Sequence, residues 1–98
     1  MFGSGKNMNI EEVLGSTTRL HIMRVLVKHF APYWLRQIQR EIGAKSVGGL
    51  SKHIDVLEKA GLVRVTERGH YKSFVANESD DRVRFLRKLF NAAERVGS

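Results

Sequence analysis

AKSVGGLSKHIDVLEKAGLV, residues 44–63, is the stretch on which the reading of the chain turns. Ser46 stands just ahead of an apolar-periodic run, where its hydroxyl can accept from a free amide of a first helical turn. Leu50, Ile54 and Leu57 then recur at helical spacing, and Gly61 is placed to end the helix in a left-handed cap. At 100° per residue, Ile54 and Leu57 fall within about 40° of Leu50. Gly48, Lys52, Asp55 and Lys59 fall on the far side. One face is therefore expected to seal a core, and the other to offer small and basic residues near the N-terminal end. Such a helix suits a DNA major groove.

Upstream, Leu35, Ile38 and Ile42 point one way on a helix from about Arg36 to Ile42, and Arg36, Gln37, Arg40 and Glu41 point the other; Gly43 ends it. The two helices make a helix-turn-helix, in which the first crosses the phosphate backbone and Arg36 and Arg40 are suited to that contact. Ala31-Pro32 breaks the chain before it, and Tyr33-Trp34-Leu35 suits a short strand. Trp34 is expected to pack in a core or between subunits rather than to stack on a base. Before the break, a helix capped by Ser16 or Thr17 runs to about His29, with Leu20, Met23, Val27 and Phe30 on its buried arc, joined by Ile22 and Leu26. Asn9 can cap a short helix over Ile10–Leu14.

Downstream the period changes. Val63 and Val65 alternate with Arg64 and Thr66 as a half-buried strand, Glu67-Arg68-Gly69-His70 turns, and Tyr71 to Ala76 returns. This hairpin tip carries Arg68, His70 and Lys72 around Tyr71, which suits phosphate or minor-groove contact; for His70 a solvated tip fits equally. Residues 77–81 offer N-caps for a last helix running to about Val96. Its apolar residues Val83, Phe85, Leu86, Leu89, Phe90, Ala92, Ala93 and Val96 span half the circumference. A helix docking on its own chain alone needs a stripe of about 100°, so the excess points to the same helix of a second subunit.

Composition narrows the function classes. The 98 residues carry a formal charge of +7, and the segment 19–52 holds seven Lys/Arg against one acid, Glu41. That concentration favours a polyanion partner. Without cysteine there is no disulfide, thiolate metal site or cysteine nucleophile. His21, His29, His53 and His70 show no ligand spacing, so neither metal nor cofactor is expected. Ser51 and His53 diverge by about 200° on a helix, and no acid–base constellation appears, so no enzyme is expected. Gly3-Ser4-Gly5-Lys6 lacks the strand and spacing of a phosphate loop. No apolar run reaches bilayer length and no signal pattern opens the chain, so a cytoplasmic protein without membrane partners is expected.

Ser51, Lys52, His53, Ile54, Leu57, Ala60, Gly61, Leu62 and Val63 together resemble the recognition helix of ArsR-type winged-helix regulators. The resemblance extends from about Leu14 to Ala76, and Arg19-Leu20 matches the family's Arg-Leu pair. Thr18 stands where proline is frequent, and Gly48-Gly49 replace small polar residues. The resemblance implies a mainly α fold with a small β-hairpin wing, a winged helix-turn-helix with a C-terminal dimerisation helix. Its parts would be a flexible segment 1–8 and one domain over 9–98, with a recognition helix at about 46–60, a wing at 63–76 and a dimerisation helix at 80–96.

Its function would be that of a prokaryotic, nucleoid-associated regulator of transcription, binding specific double-stranded DNA as a homodimer. Arg36, Arg40, Lys45, Lys52 and the wing residues Arg68, His70, Tyr71 and Lys72 would meet the backbone or minor groove. Ser46, Gly48, Gly49, Ser51 and Lys52 would lie nearest the base edges, and His53 would pack on the helix flank or touch a phosphate. The dimer contacts would come from Val13, Leu14, Phe85, Leu86, Leu89, Phe90, Ala93 and Val96. The cysteine-rich metal site known in such regulators is impossible here, and the last helix lacks the histidines of their Asp–His site. Two other functions fit the same fold: an architectural DNA binder without sequence preference, and a protein-interaction module.

Overall fold

The computed structural model describes residues 9–97, so the expectations for segment 1–8 and for Gly3–Lys6 lie outside the described residues. The elements run α1 (Ile10–Val13), α2 (Thr17–Lys28), β1 (Tyr33–Trp34), α3 (Leu35–Ile42), α4 (Val47–Lys59), β2 (Val63–Arg68), β3 (Tyr71–Ala76) and α5 (Asp81–Gly97). The fold is mainly helical with a three-stranded antiparallel sheet in the order β1-β3-β2.

Local chemistry sets the boundaries. Asn9 accepts from the Glu11 amide at 2.7 Å, and Ser16 accepts from the Arg19 amide at 3.3 Å. Ser46 accepts from the Gly49 amide at 3.2 Å and opens α4. At the other end of α4, Gly61 has φ +83°, its amide donates to the Glu58 carbonyl at 2.9 Å, and the Leu62 amide donates to the Leu57 carbonyl at 3.0 Å. This pair of bonds is a Schellman cap, and the buried Leu62 and Leu57 supply its apolar contact. The hairpin turns through two residues between the paired Arg68 and Tyr71, with Gly69 at φ +60° in the first central position, as a type II′ turn requires.

The core draws on all five helices and the hairpin. Ile22, Met23 and Leu26 of α2 meet Ile38 of α3, Leu50, Ile54 and Leu57 of α4, Leu62 and Val63, Phe74 and Ala76 of the sheet, and Val83 of α5. The α4 residues are the three picked out by spacing. Truncating Leu57 to Ala would cost about 2–5 kcal/mol, the range for a fully buried leucine.

Several side chains depart from the sequence expectations. Phe30 lies beyond the end of α2 and is 69% exposed, with the Arg87 guanidinium 4.5 Å above its ring. Of the two packing roles expected for Trp34, the core is excluded: it is half exposed, because the two-residue β1 ends there, and its ring meets Tyr71 edge-on. Val13 and Leu86, expected at a subunit interface, are enclosed by their own chain and have almost no surface left for a partner; Leu14 and Phe90 are partly packed against the same core.

Candidate nucleic-acid interface

The α3–α4 pair is held at both ends by polar ties. Gly43, with φ +72°, closes α3, and the Gln39 side chain donates to the Ala44 carbonyl at 3.2 Å, shaping the turn into α4. At the far end, Arg82 donates to the Ala60 carbonyl and Asn77 to the Gly61 carbonyl, both at 2.8 Å. Arg82 is in turn gripped by both oxygens of Asp80, at 2.9 and 2.7 Å. The hydrogen bond from Arg82 is the main cause that holds the Asp80 carboxyl below its ordinary value, against the opposing effect of burial; the same bond raises Arg82.

Within this frame the sequence-selected residues fall into three groups. Gly48, Gly49 and Lys52 are exposed on the N-terminal half of α4, beside exposed Ser46 and Lys45. A methyl group added at Gly48 or Gly49 would meet only the Ser46 hydroxyl oxygen, at 3.8 and 3.9 Å, so nothing within the chain requires glycine there. Arg36 and Arg40 are exposed on α3, and Arg68, His70, Tyr71 and Lys72 are exposed at the hairpin tip. Ser51 is half-buried on the flank of α4 that faces the wing.

His53 sits on the opposite flank, half-buried, with Nδ1 at 3.0 Å from Arg19 Nη1. A guanidinium only donates, so Nδ1 accepts and the ring proton of a neutral His53 is on Nε2. Arg19 also donates to the carbonyls of Val13 and Glu12, and thereby joins α1, α2 and α4. His53 thus has a specific partner on α2.

Charge is divided sharply. Arg19, Lys28, Arg82, Arg84 and Arg87 are all bonded to carbonyls or carboxylates of the chain. None of the eight lysines and arginines from Arg36 to Lys72 has a hydrogen bond or ion pair with a described residue. Of the eleven lysines and arginines without such a partner among the described residues, eight thus belong to the α3–α4–wing segment, the others being Arg24, Lys88 and Arg95. The positive N-terminal end of the α4 dipole lies in that segment.

Between α4 and the wing runs a groove of about 670 Å³. It brings Arg36, Ser51, His70, Tyr71 and Lys72 to one concavity, and leaves Arg40, Lys45, Gly48, Gly49, Lys52, His53 and Arg68 outside it. It also contains Trp34, Asp55 and Glu58, which the sequence reading did not assign to a site. A signal for them exists: Val47, Ser51, Asp55 and Glu58 recur at i, i+4, i+8 and i+11 along one flank of α4. Among the described residues no helix is long and apolar enough to cross a membrane, and no group of His, Asp and Glu could hold a metal ion.

No protein-family model and no curated protein sequence matches the chain. Solved structures do match. The transcriptional repressor BigR from Xylella fastidiosa is similar at 20% identity and a TM-score of 0.69, covering 87% of this chain and 79% of that one. Reduced HlyU from Vibrio cholerae is similar at 16% identity and a TM-score of 0.69, covering 89% and 83%. A homodimeric winged helix-turn-helix DNA-binding domain, Mb0332 from Mycobacterium bovis, described as a possible ArsR-family transcriptional regulator, is similar at 19% identity and a TM-score of 0.64, covering 90% and 74%. In its fold, the chain is a winged helix of the kind found in ArsR-type transcriptional regulators.

Proposed function

We propose that the chain is a transcription regulator that binds double-stranded DNA as a homodimer, with α4 as recognition helix in the major groove and the β2–β3 wing on the backbone or minor groove. The observation that carries this reading is the division of charge: every lysine and arginine from Arg36 to Lys72 is free, whereas the cations that stabilise the fold lie elsewhere. Free, exposed cations on α3, at the start of α4 and on the wing, with a solvent-open helix N-terminus, suit phosphate contact. Of the similar structures, BigR is described as a transcriptional repressor and Mb0332 as a homodimeric DNA-binding domain.

In this reading Arg36, Arg40, Lys45 and Lys52 hold phosphates, with Arg68, His70, Tyr71 and Lys72 on the wing. Ser46, Gly48, Gly49, Ser51 and Lys52 lie nearest the bases, and His53 can donate from Nε2 while Arg19 occupies Nδ1. Leu14, Phe85, Leu89, Phe90, Ala93 and Val96 would contribute to the dimer contact. Two successive major-groove faces about 34 Å apart would define a pseudo-palindromic site. The protein would act in the cytoplasm, on the nucleoid.

Gly48 and Gly49 favour one variation on this theme. They provide no side-chain donor to a base edge, so specificity would fall to Ser51, Lys52 and DNA shape, and a binder without sequence preference is the second reading. Selecting duplexes from a random pool, then comparing the selected site with random DNA at fixed salt, tests both. A selected site bound at least about a thousandfold more tightly supports a regulator. Equal affinities support the architectural binder, and no duplex binding at low salt removes both.

A further inference from the structure

We propose that the groove between α4 and the wing is a binding site for an amphipathic organic cation with a bulky aromatic or apolar body, and that its occupant competes with DNA. The second clause rests on the DNA-binding reading above; the first does not.

The volume, about 670 Å³, lies within the range of small-molecule clefts. Val47 and Ile54 of α4 and Val65 and Phe74 of the sheet line it with apolar surface. Trp34 and Tyr71 are 46% and 65% exposed, with ring centroids 5.4 Å apart and planes at 80°. An exposed pair of this kind leaves aromatic surface in water, which a bound apolar body would cover. Aromatic faces also attract cations.

The charge of the lining selects the ligand further. Asp55 and Glu58 are one turn apart on α4, both line the groove, and neither has a hydrogen bond or ion pair with a described residue. Like charges at this spacing repel, and a cation between them relieves the repulsion. The basic groups of the lining are Arg36 at the start of α3 and His70 and Lys72 on the wing, and Lys72 stands opposite Glu67 in the sheet register. The α4 wall of the groove, with two carboxylates and no basic group, is therefore its acidic side. The same two carboxylates disfavour a phosphate strand inside the groove. Arg36, Ser51, Tyr71 and Lys72 would nevertheless be shared by ligand and duplex, so one excludes the other.

Trp34 is the sole tryptophan, so its emission reports directly on this groove. The probes are tetraphenylphosphonium and its isosteric anion tetraphenylborate, titrated into the full chain without DNA. The expected result is a saturable change of Trp34 emission with tetraphenylphosphonium, weakened roughly tenfold by the pair D55N/E58Q, the loss of one close charge interaction, and several-fold by Tyr71→Ala. Both variants change exposed side chains, and their circular dichroism should match the parent. Non-saturable emission, binding indifferent to D55N/E58Q, or tighter binding of tetraphenylborate would overturn the site. A labelled duplex is then titrated at saturating tetraphenylphosphonium: weaker DNA binding in the parent, and little change in D55N/E58Q, supports competition, and unchanged DNA binding in the parent overturns it. Should no duplex bind at all, the DNA-binding reading falls while the emission titration still decides the groove.

Discussion

Arg19 Nη1 lies 3.0 Å from Nδ1 of His53, across 34 residues of sequence, and the same guanidinium caps the carbonyls of Val13 and Glu12. One side chain thus fixes α4 against the C-terminal end of α1 and the start of α2. Both partners are half-buried, so the bond is shielded from water in part only. A double-mutant cycle with Arg19→Ala and His53→Ala should give a coupling of about 1 kcal/mol in urea denaturation. Arg19→Ala alone should cost more than His53→Ala, since it frees two carbonyls as well. A coupling near zero would mean that the contact does not orient the helix.

The glycines of α4 separate stability from binding. A methyl group fits at both Gly48 and Gly49, and alanine is the better helix former by about 1 kcal/mol in a helix interior, less in a first turn. Gly48→Ala and Gly49→Ala should therefore raise the Tm slightly. If the backbone there approaches the duplex, the same changes should weaken DNA binding. A rise in Tm with unchanged affinity would place the DNA elsewhere.

Lys52 tests the electrostatics of the same surface. It is exposed and has no partner among the described residues, so Lys52→Ala should leave stability within about 0.5 kcal/mol. Binding to specific and random duplexes should weaken alike, and the slope of log K against log salt should flatten by about one unit for each half-site. Arg87, bonded to the Val27 carbonyl and Glu78, should show the opposite pattern in Arg87→Ala: lower stability and an unchanged salt slope.

Local features were legible in the sequence wherever a single residue type solves a single local problem. Ser46, Gly61, Gly69 and the Leu50-Ile54-Leu57 stripe all act as their spacing predicts, because caps, tight turns and amphipathic faces depend on neighbours within a few residues. Misjudged positions depend on partners far along the chain. Val13 carries no signal against a second subunit because a four-residue helix gives no usable periodicity, and only the fold encloses it in the core. Composition offers Trp34 to a core or a subunit contact, and its exposure within the chain follows from where β1 stops against β3. By spacing Asp55 only faces away from the core, because the groove that takes in Asp55 and Glu58 is closed by Trp34 far upstream and by the wing downstream.

On α5 the two apolar stripes can be told apart. Val83, Leu86 and Phe90, at i, i+3 and i+7, turn toward the core, whereas Phe85, Leu89, Ala93 and Val96, at i, i+4, i+8 and i+11, remain exposed. The second stripe is what a homodimer through α5 would bury. Leu89→Glu should then convert a species of twice the chain mass in sedimentation into the monomer, weakening association by at least about a hundredfold, as a charge in an interface centre does. Helical content should persist, because Leu89 is half exposed. A parent chain that sediments as a monomer at all concentrations would remove the dimer from the reading.

Asp80 makes the anchor between α4 and α5 sensitive to acid. Its carboxylate accepts from the Arg82 amide at 2.8 Å and grips the guanidinium that caps the Ala60 carbonyl. Because the folded-state value is lowered from 3.8 by these bonds, the stabilisation is fully present above the ordinary carboxylate value. It is lost as pH falls through the lowered, folded-state value. Asp80→Ala should cost about 0.5–2 kcal/mol at neutral pH, the range for a lost helix cap. The gap between parent and variant should then close on acidification, since protonated Asp80 no longer holds Arg82 as an ion pair. Urea denaturation from pH 7 down to pH 2 measures that gap directly. A gap that stays constant through this window would show that Asp80 acts only as a neutral cap, and that Arg82 holds the end of α4 without its help.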